Sequence, residues 1–250
     1  MRIALFAADR VGRDIVSLFA ERQLRPDLLV LDAADPLKLN TELQTMAKAK
    51  VVLLSDSLSS EEALNTIRAL GLDLGILAWW PYLLKSSLIS LSRLGFLNFH
   101  PSLLPYNRGK HPNFWSLVEG TPYGVTLHFI TPQIDAGEIA YQRSIPTGWE
   151  DTAKTLHEKG KQTLVELFRD HFDEIVSGRI PRRAQDLSAG TFHLGKELEP
   201  ASEIDLDKSY SGRSLLNLLR ARTYPPHPGA WFSDDGETYE VRIEIRKRTR

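Results

Sequence analysis

The sequence predicts an α/β fold built on an open, mostly parallel sheet with helices on both faces, followed by a small C-terminal helix-and-hairpin appendage. Two observations predict it. Short apolar runs alternate with segments of helical period five times between residues 2 and 100, the pattern of parallel strands covered on both sides. That alternation stops near residue 184. Beyond that point come a helical segment, a Pro-rich stretch at Tyr224-Pro-Pro-His-Pro-Gly229, and two apolar-alternating segments around Asp234-Asp-Gly236. The architecture is the doubly wound, Rossmann-like kind, divided into a catalytic domain over 1–184 and a subdomain over 185–250.

Each element has its own warrant. Residues 2–8 form an apolar run suited to a buried strand, and Val11, Ile15, Val16 and Phe19 mark a helix over 11–22. Strands are expected at 28–31, 50–54, 72–78 and 96–100, with helices at 36–47 and 83–91. Ser59-Ser-Glu-Glu62 reads as the cap of a helix running to Leu70. A helix at 113–119 precedes strands at 124–130 and 138–145, which pair like a hairpin. Asp151 is expected to cap a helix that buries Leu156, Leu164, Leu167, Phe168 and Phe172 and ends near Gly178. Ser211–Arg222 is a helix, and Asp234-Asp-Gly236 turns a hairpin.

Composition narrows the function. Apolar residues make up 42% and charged residues 25% of 250, with net charge −1, so no global field attracts nucleic acid or an anionic membrane. The absence of cysteine removes disulfides, thiolate catalysis and cysteine-held metals. No run approaches the roughly 20 apolar residues that cross a bilayer. Charge at Asp9-Arg10 comes too early for a signal peptide, so a cytoplasmic location is expected. Arg242, Arg246, Lys247, Arg248 and Arg250 form a basic terminus, read as a solvated tail. The first strand–helix junction, Ala7-Ala-Asp-Arg-Val-Gly12, lacks the Gly-rich dinucleotide fingerprint, which argues against an oxidoreductase.

The chemistry is concentrated in residues 95–137. Asn98 and His100 lie two apart on a strand and share a face, and Asp135-Ala-Gly137 is a turn. An amide, an imidazole and a carboxylate suit attack on a carbonyl, with one group holding negative charge on oxygen, one handling a proton and one orienting the second. Taken singly, Asn98 is also an ordinary turn cap, His100 a half-buried histidine and Asp135 a turn residue. His128 either reaches the site or makes a structural hydrogen bond. Ser102 has no base arranged beside it, and the His100, His111, His128 and Asp135 spacing matches no standard zinc pattern.

The string Asn98-Phe-His-Pro-Ser-Leu-Leu-Pro105, then Arg108-Gly109, then Asp135-Ala-Gly-Glu-Ile139, closely resembles the folate-dependent formyltransferases. That family includes the glycinamide ribonucleotide, methionyl-tRNA and nucleotide-sugar enzymes. The resemblance is good over roughly residues 70–145 and loose outside them. It implies transfer of a formyl group from 10-formyltetrahydrofolate to an amine, with the family's Asn, His and Asp falling on Asn98, His100 and Asp135. It also implies a folate pocket formed by Trp80, Pro81, Tyr82, Leu83 and Leu84 together with Thr131 and Ile134.

Arg108, Lys110 and His111 are expected to meet a substrate phosphate, with solvated loop charge as the competing reading. Trp149 and Trp231 are candidates for base stacking or core packing. The tail from 185 is too long for the purine-pathway layout and too short for the two-domain tRNA layout, and it looks most like the nucleotide-sugar enzymes. A nucleotide-linked amino-deoxysugar is therefore the expected acceptor, and a homodimer joined through the hairpin the expected assembly. The sequence leaves open the sugar, the nucleotide, and whether His100 acts as a base or as a charged stabiliser.

Overall fold

The computed structural model describes residues 1–248, and Arg250 of the basic terminus lies outside them. In chain order the elements are β1 (Ile3–Ala7), α1 (Asp9–Glu21), β2 (Leu28–Leu31), α2 (Asn40–Ala47), β3 (Val51–Leu54), α3 (Glu61–Leu70), β4 (Leu74–Ala78), α4 (Ser86–Ile89), β5 (Phe96–His100), β6 (Arg108–Gly109), α5 (Pro112–Glu119), β7 (Gly124–Phe129) and β8 (Ile139–Ser144). They are followed by α6 (Ala153–Asp170), α7 (Phe172–Val176), β9 (Phe192–His193), α8 (Gly212–Ala221), β10 (Ala230–Asp234) and β11 (Glu237–Val241). The chain divides into two units: one of residues 1–100, 126–142 and 162–185, the other of 101–125, 143–161 and 186–250.

The first unit is organised by a seven-stranded sheet of order β3-β2-β1-β4-β5-β7-β8 among the described residues. The first five strands run parallel and β7 pairs antiparallel with β5, so the mostly parallel α/β sheet is as expected. Both faces are apolar. On one face the Phe6 ring meets Trp80 at 5.3 Å and Phe96 at 5.7 Å, edge to face. On another, Phe168 lies 5.4 Å from Phe99, 6.4 Å from Phe19 and 5.8 Å from Phe172. Phe96 and Phe99 thus point opposite ways from β5, which gives Asn98 and His100 the Phe96 side.

Gly75 of β4 is where Phe96 fits, since a Cβ there would lie 2.0 Å from that ring. Gly75→Ala is accordingly expected to cost about 1–3 kcal/mol through overpacking, read as a lowered urea midpoint at unchanged slope.

Local chemistry corrects two expectations, the helix at 83–91 and the cap at Asp151, and keeps the cap before α3. The helix foreseen over 83–91 shrinks to Ser86–Ile89. The stretch before it serves otherwise: Trp79 has φ 59°, and the Tyr82 hydroxyl donates to Asp32 Oδ1 at 2.7 Å. Residues 55–59 form a 3-10 turn that runs directly into the Ser60 cap, whose side chain accepts from Ala63 N. Asp151 does not cap α6. Its carboxylate accepts from Gly148 N, the Thr155 hydroxyl and Lys159 Nζ, and Thr152 Oγ1 takes the Thr155 N–H at 3.4 Å. Burial works to raise the Asp151 carboxyl, but the Lys159 ammonium with Gly148 and Thr155 outweighs it and holds the group below the ordinary carboxylate range.

The second unit contains α5, α8 and two short ladders. Arg108–Gly109 pairs in parallel with Phe192–His193, a contact no sequence pattern announced. Glu119 accepts from Asn107 Nδ2 at 2.9 Å and from the Thr191 hydroxyl at 3.0 Å, and its other oxygen lies 2.8 Å from His193 Nε2. The His193 ring stacks on Trp115 at 3.7 Å. The Ser211 side chain accepts from Ser214 N to cap α8. The expected hairpin is β10 and β11 in antiparallel register, turned by Asp235 (φ 49°) and Gly236 (φ 82°), the two left-handed residues of a type I′ turn.

Candidate active site

The site grows out of β5. Its antiparallel register with β7 sets Asn98 opposite His128 and His100 opposite Thr126. Asn98 Nδ2 lies 3.2 Å from His128 Nε2, and His128 Nδ1 lies 3.0 Å from the Phe129 carbonyl. A carbonyl only accepts, so in the neutral ring Nδ1 carries the proton and Nε2 accepts from the Asn98 amide. That assignment fixes which way the carboxamide faces, with its nitrogen toward the histidines.

Asp135 completes the group. Its Oδ2 lies 3.5 Å from His100 Nδ1 and its Oδ1 3.5 Å from His128 Nε2, within ion-pair range and longer than an ordinary hydrogen bond. The rings of His100 and His128 stand 6.0 Å apart and nearly perpendicular. All three side chains are largely withdrawn from water, at 6%, 1% and 13% exposure for His100, His128 and Asp135. One carboxylate therefore faces a ring nitrogen of each histidine in a site largely closed to water.

Backbone strain positions that carboxylate. Asp135 has φ 49°, a left-handed conformation costly for a residue with a Cβ. Two residues on, a Cβ at Gly137 would lie 1.7 Å from the Phe129 carbonyl oxygen, so only glycine lets the turn close against β7. Gln185 Nε2 donates to the carbonyls of Asp135 and Gly137 at 3.0 and 2.6 Å. The structure thus brings together Asn98, His100 and Asp135 and adds His128, which the sequence left undecided, and Gln185, which it did not flag.

The segment 79–85 leaves β4 at the edge where β5, running parallel, ends in His100. Trp80 is buried against Phe6, while Pro81, Tyr82 and Leu83 are exposed, Leu83 to 82%, and Leu84 is half-buried. Thr131 and Ile134 lie exposed in the loop that leads to Asp135, where Thr131 donates to the Gln133 carbonyl.

The second unit holds the remaining candidates. Arg108 is buried, donating through Nη2 to the Leu187 carbonyl at 3.4 Å, so it is not a solvated loop charge. Lys110 and His111 are exposed. Partial burial, then Lys110, Arg222 and His227, push the His111 imidazole below its usual range. The Trp149 ring has the guanidinium groups of Arg213 and Arg220 4.9 and 5.0 Å from its centroid. Trp231 is half-buried and donates to the Glu199 carbonyl at 3.4 Å.

Comparison with known proteins places the chain among formyltransferases. The family model described as formyl transferase matches residues 14–170, and that of the N-formyltransferase dimerization C-terminal domain matches 197–247. A methionyl-tRNA formyltransferase of Listeria welshimeri is 30% identical over 189 residues, covering 74% of this chain; the chain spans 58% of that protein's length. The fold is shared with a sugar N-formyltransferase from a Shewanella species, at TM-score 0.81 and 22% identity over 100% of this chain and 99% of that one. It is also shared with an N-formyltransferase from Helicobacter canadensis solved with folinic acid and dTDP-3-aminofucose, at TM-score 0.71 and 14% identity over 94% and 85%. No helix among the described residues is long and apolar enough to cross a membrane. With the first model spanning well over half of the chain, this protein belongs to the formyl transferase family.

Proposed function

We propose that this protein transfers the formyl group of 10-formyltetrahydrofolate to the amine of a nucleotide-linked amino-deoxysugar. The observation that carries the reading is the meeting of Asn98, His100 and Asp135, with two ring nitrogens 3.5 Å from one carboxylate. The amine attacks the formyl carbon and forms a tetrahedral oxyanion. The Asn98 amide donates to that oxygen, a contact of the kind whose loss costs about 3–4 kcal/mol. His100, paired with Asp135, takes the proton that the attacking nitrogen gives up, and the tetrahydrofolate nitrogen leaves with a proton in return.

Trp80, Pro81, Tyr82, Leu83, Leu84, Thr131 and Ile134 form the folate contact. Tyr82, Leu83 and Ile134 hold apolar surface out to solvent, as a flat heterocycle requires. Arg108, Lys110 and His111 meet the substrate's phosphates. Residues 1–184 act as the catalytic domain and 185–250 as a subdomain whose hairpin joins two copies, a reading supported by the dimerization model over 197–247. The sugar-nucleotide acceptor is supported by the near-complete mutual coverage with the Shewanella sugar enzyme and by the dTDP-amino sugar in the Helicobacter one. A cytoplasmic location and a small substrate, without nucleic acid or membrane as partner, belong to the same proposal.

The test supplies 10-formyltetrahydrofolate with a panel of acceptors and follows folate product by absorbance. Turnover with UDP- or dTDP-linked 3-amino or 4-amino sugars is expected. Turnover only with glycinamide ribonucleotide or methionyl-tRNA would overturn the acceptor, and formate release with no acceptor would make the protein a hydrolase.

A further inference from the structure

We infer that Gln185 is a positioning residue for formyl transfer, holding the turn that presents Asp135; the inference rests on the role proposed above for that carboxylate. Residues 180–185 run along the outer side of β8. Arg183 and Ile139 exchange both backbone hydrogen bonds, at 2.8 and 3.0 Å, as an antiparallel bridge. Arg182 lies over the Phe129 ring at 3.5 Å and reaches Glu138 at 2.8 Å, while Arg183 donates to Gln142 Oε1 at 2.6 Å. These contacts set the register. With 183 opposite 139, residue 185 falls opposite 137, and the Gln185 amide meets the Gly137 carbonyl there, extending to that of Asp135.

One NH₂ group thus ties the strained residue's own carbonyl to that of Gly137, two residues on. Asp135 holds a left-handed φ of 49°, and such a conformation persists only where its surroundings over-determine it. Gly137 allows the turn, but nothing in glycine enforces it. The two donated hydrogen bonds do, and they act on the backbone that aims the carboxylate at His100 and His128. The other end of the same amide, Oε1, is buried with no hydrogen-bond partner. Burying an unsatisfied acceptor is costly, and the chain tolerates it where the NH₂ end is doubly used.

Gln185→Met keeps the length and removes the donors, while Gln185→Glu keeps the shape and replaces the donor with an acceptor facing two carbonyls. Both are expected to lower kcat about tenfold or more, with the KM for 10-formyltetrahydrofolate within about twofold of wild type and a shifted pH profile of kcat. The deciding readout is a double-mutant cycle with Asp135→Asn. Gln185→Met should cost little further activity in that background, because it works through the carboxylate. Wild-type kcat in both single variants, or full additivity in the cycle, would overturn the inference. Wild-type activity in Asp135→Asn alone would instead remove the proposed role of Asp135. Should Gln185→Met lose its cooperative unfolding, Gln185→Glu carries the same comparison.

Discussion

Asp135→Ala is expected to lower formyl-transfer turnover by about a hundredfold or more, the scale of a lost proton transfer, with 10-formyltetrahydrofolate still bound. The size reflects one carboxylate serving two rings, at 3.5 Å from His100 Nδ1 and 3.5 Å from His128 Nε2. Without it, both largely buried imidazoles lose the carboxylate that lies 3.5 Å from each, so a proton taken from the amine loses that counter-charge. His100→Ala should fall by a similar factor, and the double variant by little more, since residues acting as one unit lose their effect together. Folate binding measured by fluorescence separates this from a collapsed pocket. Near-normal turnover in both single variants would end the assignment.

The largest expected loss of stability comes from Phe168→Ala, about 3–5 kcal/mol. Phe168 is fully buried and touches Phe19, Phe99 and Phe172. A cavity there undercuts β5 from the side opposite the site, because Phe99 is the residue between Asn98 and His100. Equilibrium urea unfolding measures the loss, and Phe168→Leu should cost clearly less because it leaves a smaller void. A midpoint unchanged by the alanine variant would mean that this aromatic group does not hold the sheet.

Much of the fold and site was legible in advance because it depends on near neighbours. Apolar runs such as Leu28–Leu31 became strands buried on both faces, since such a run has no other stable place. Ser60 became the expected cap, because a hydroxyl next to free helix N–H groups is a local arrangement. Asn98 and His100 share a face by strand period alone. Expectations failed where a distant partner competed. Leu83 and Leu84 suggested a helix, but their segment is bound through Tyr82 to Asp32, fifty positions earlier in the chain. Asp151 suggested a cap, but Lys159 and Gly148 claim its oxygens.

By itself, then, the sequence determined the alternating architecture, the hairpin with its left-handed turn residues, and the placement of Asn98 and His100 on one face of β5, because period, capping and turn conformation act over a few residues. Tertiary structure alone decided that His128 faces Asn98, that Arg108 is buried in a ladder with Phe192, and that Gln185 closes on the Asp135 turn. Each of these depends on the register between segments far apart in the chain. Register is set by the packing of whole faces and leaves no mark on the residues it brings together.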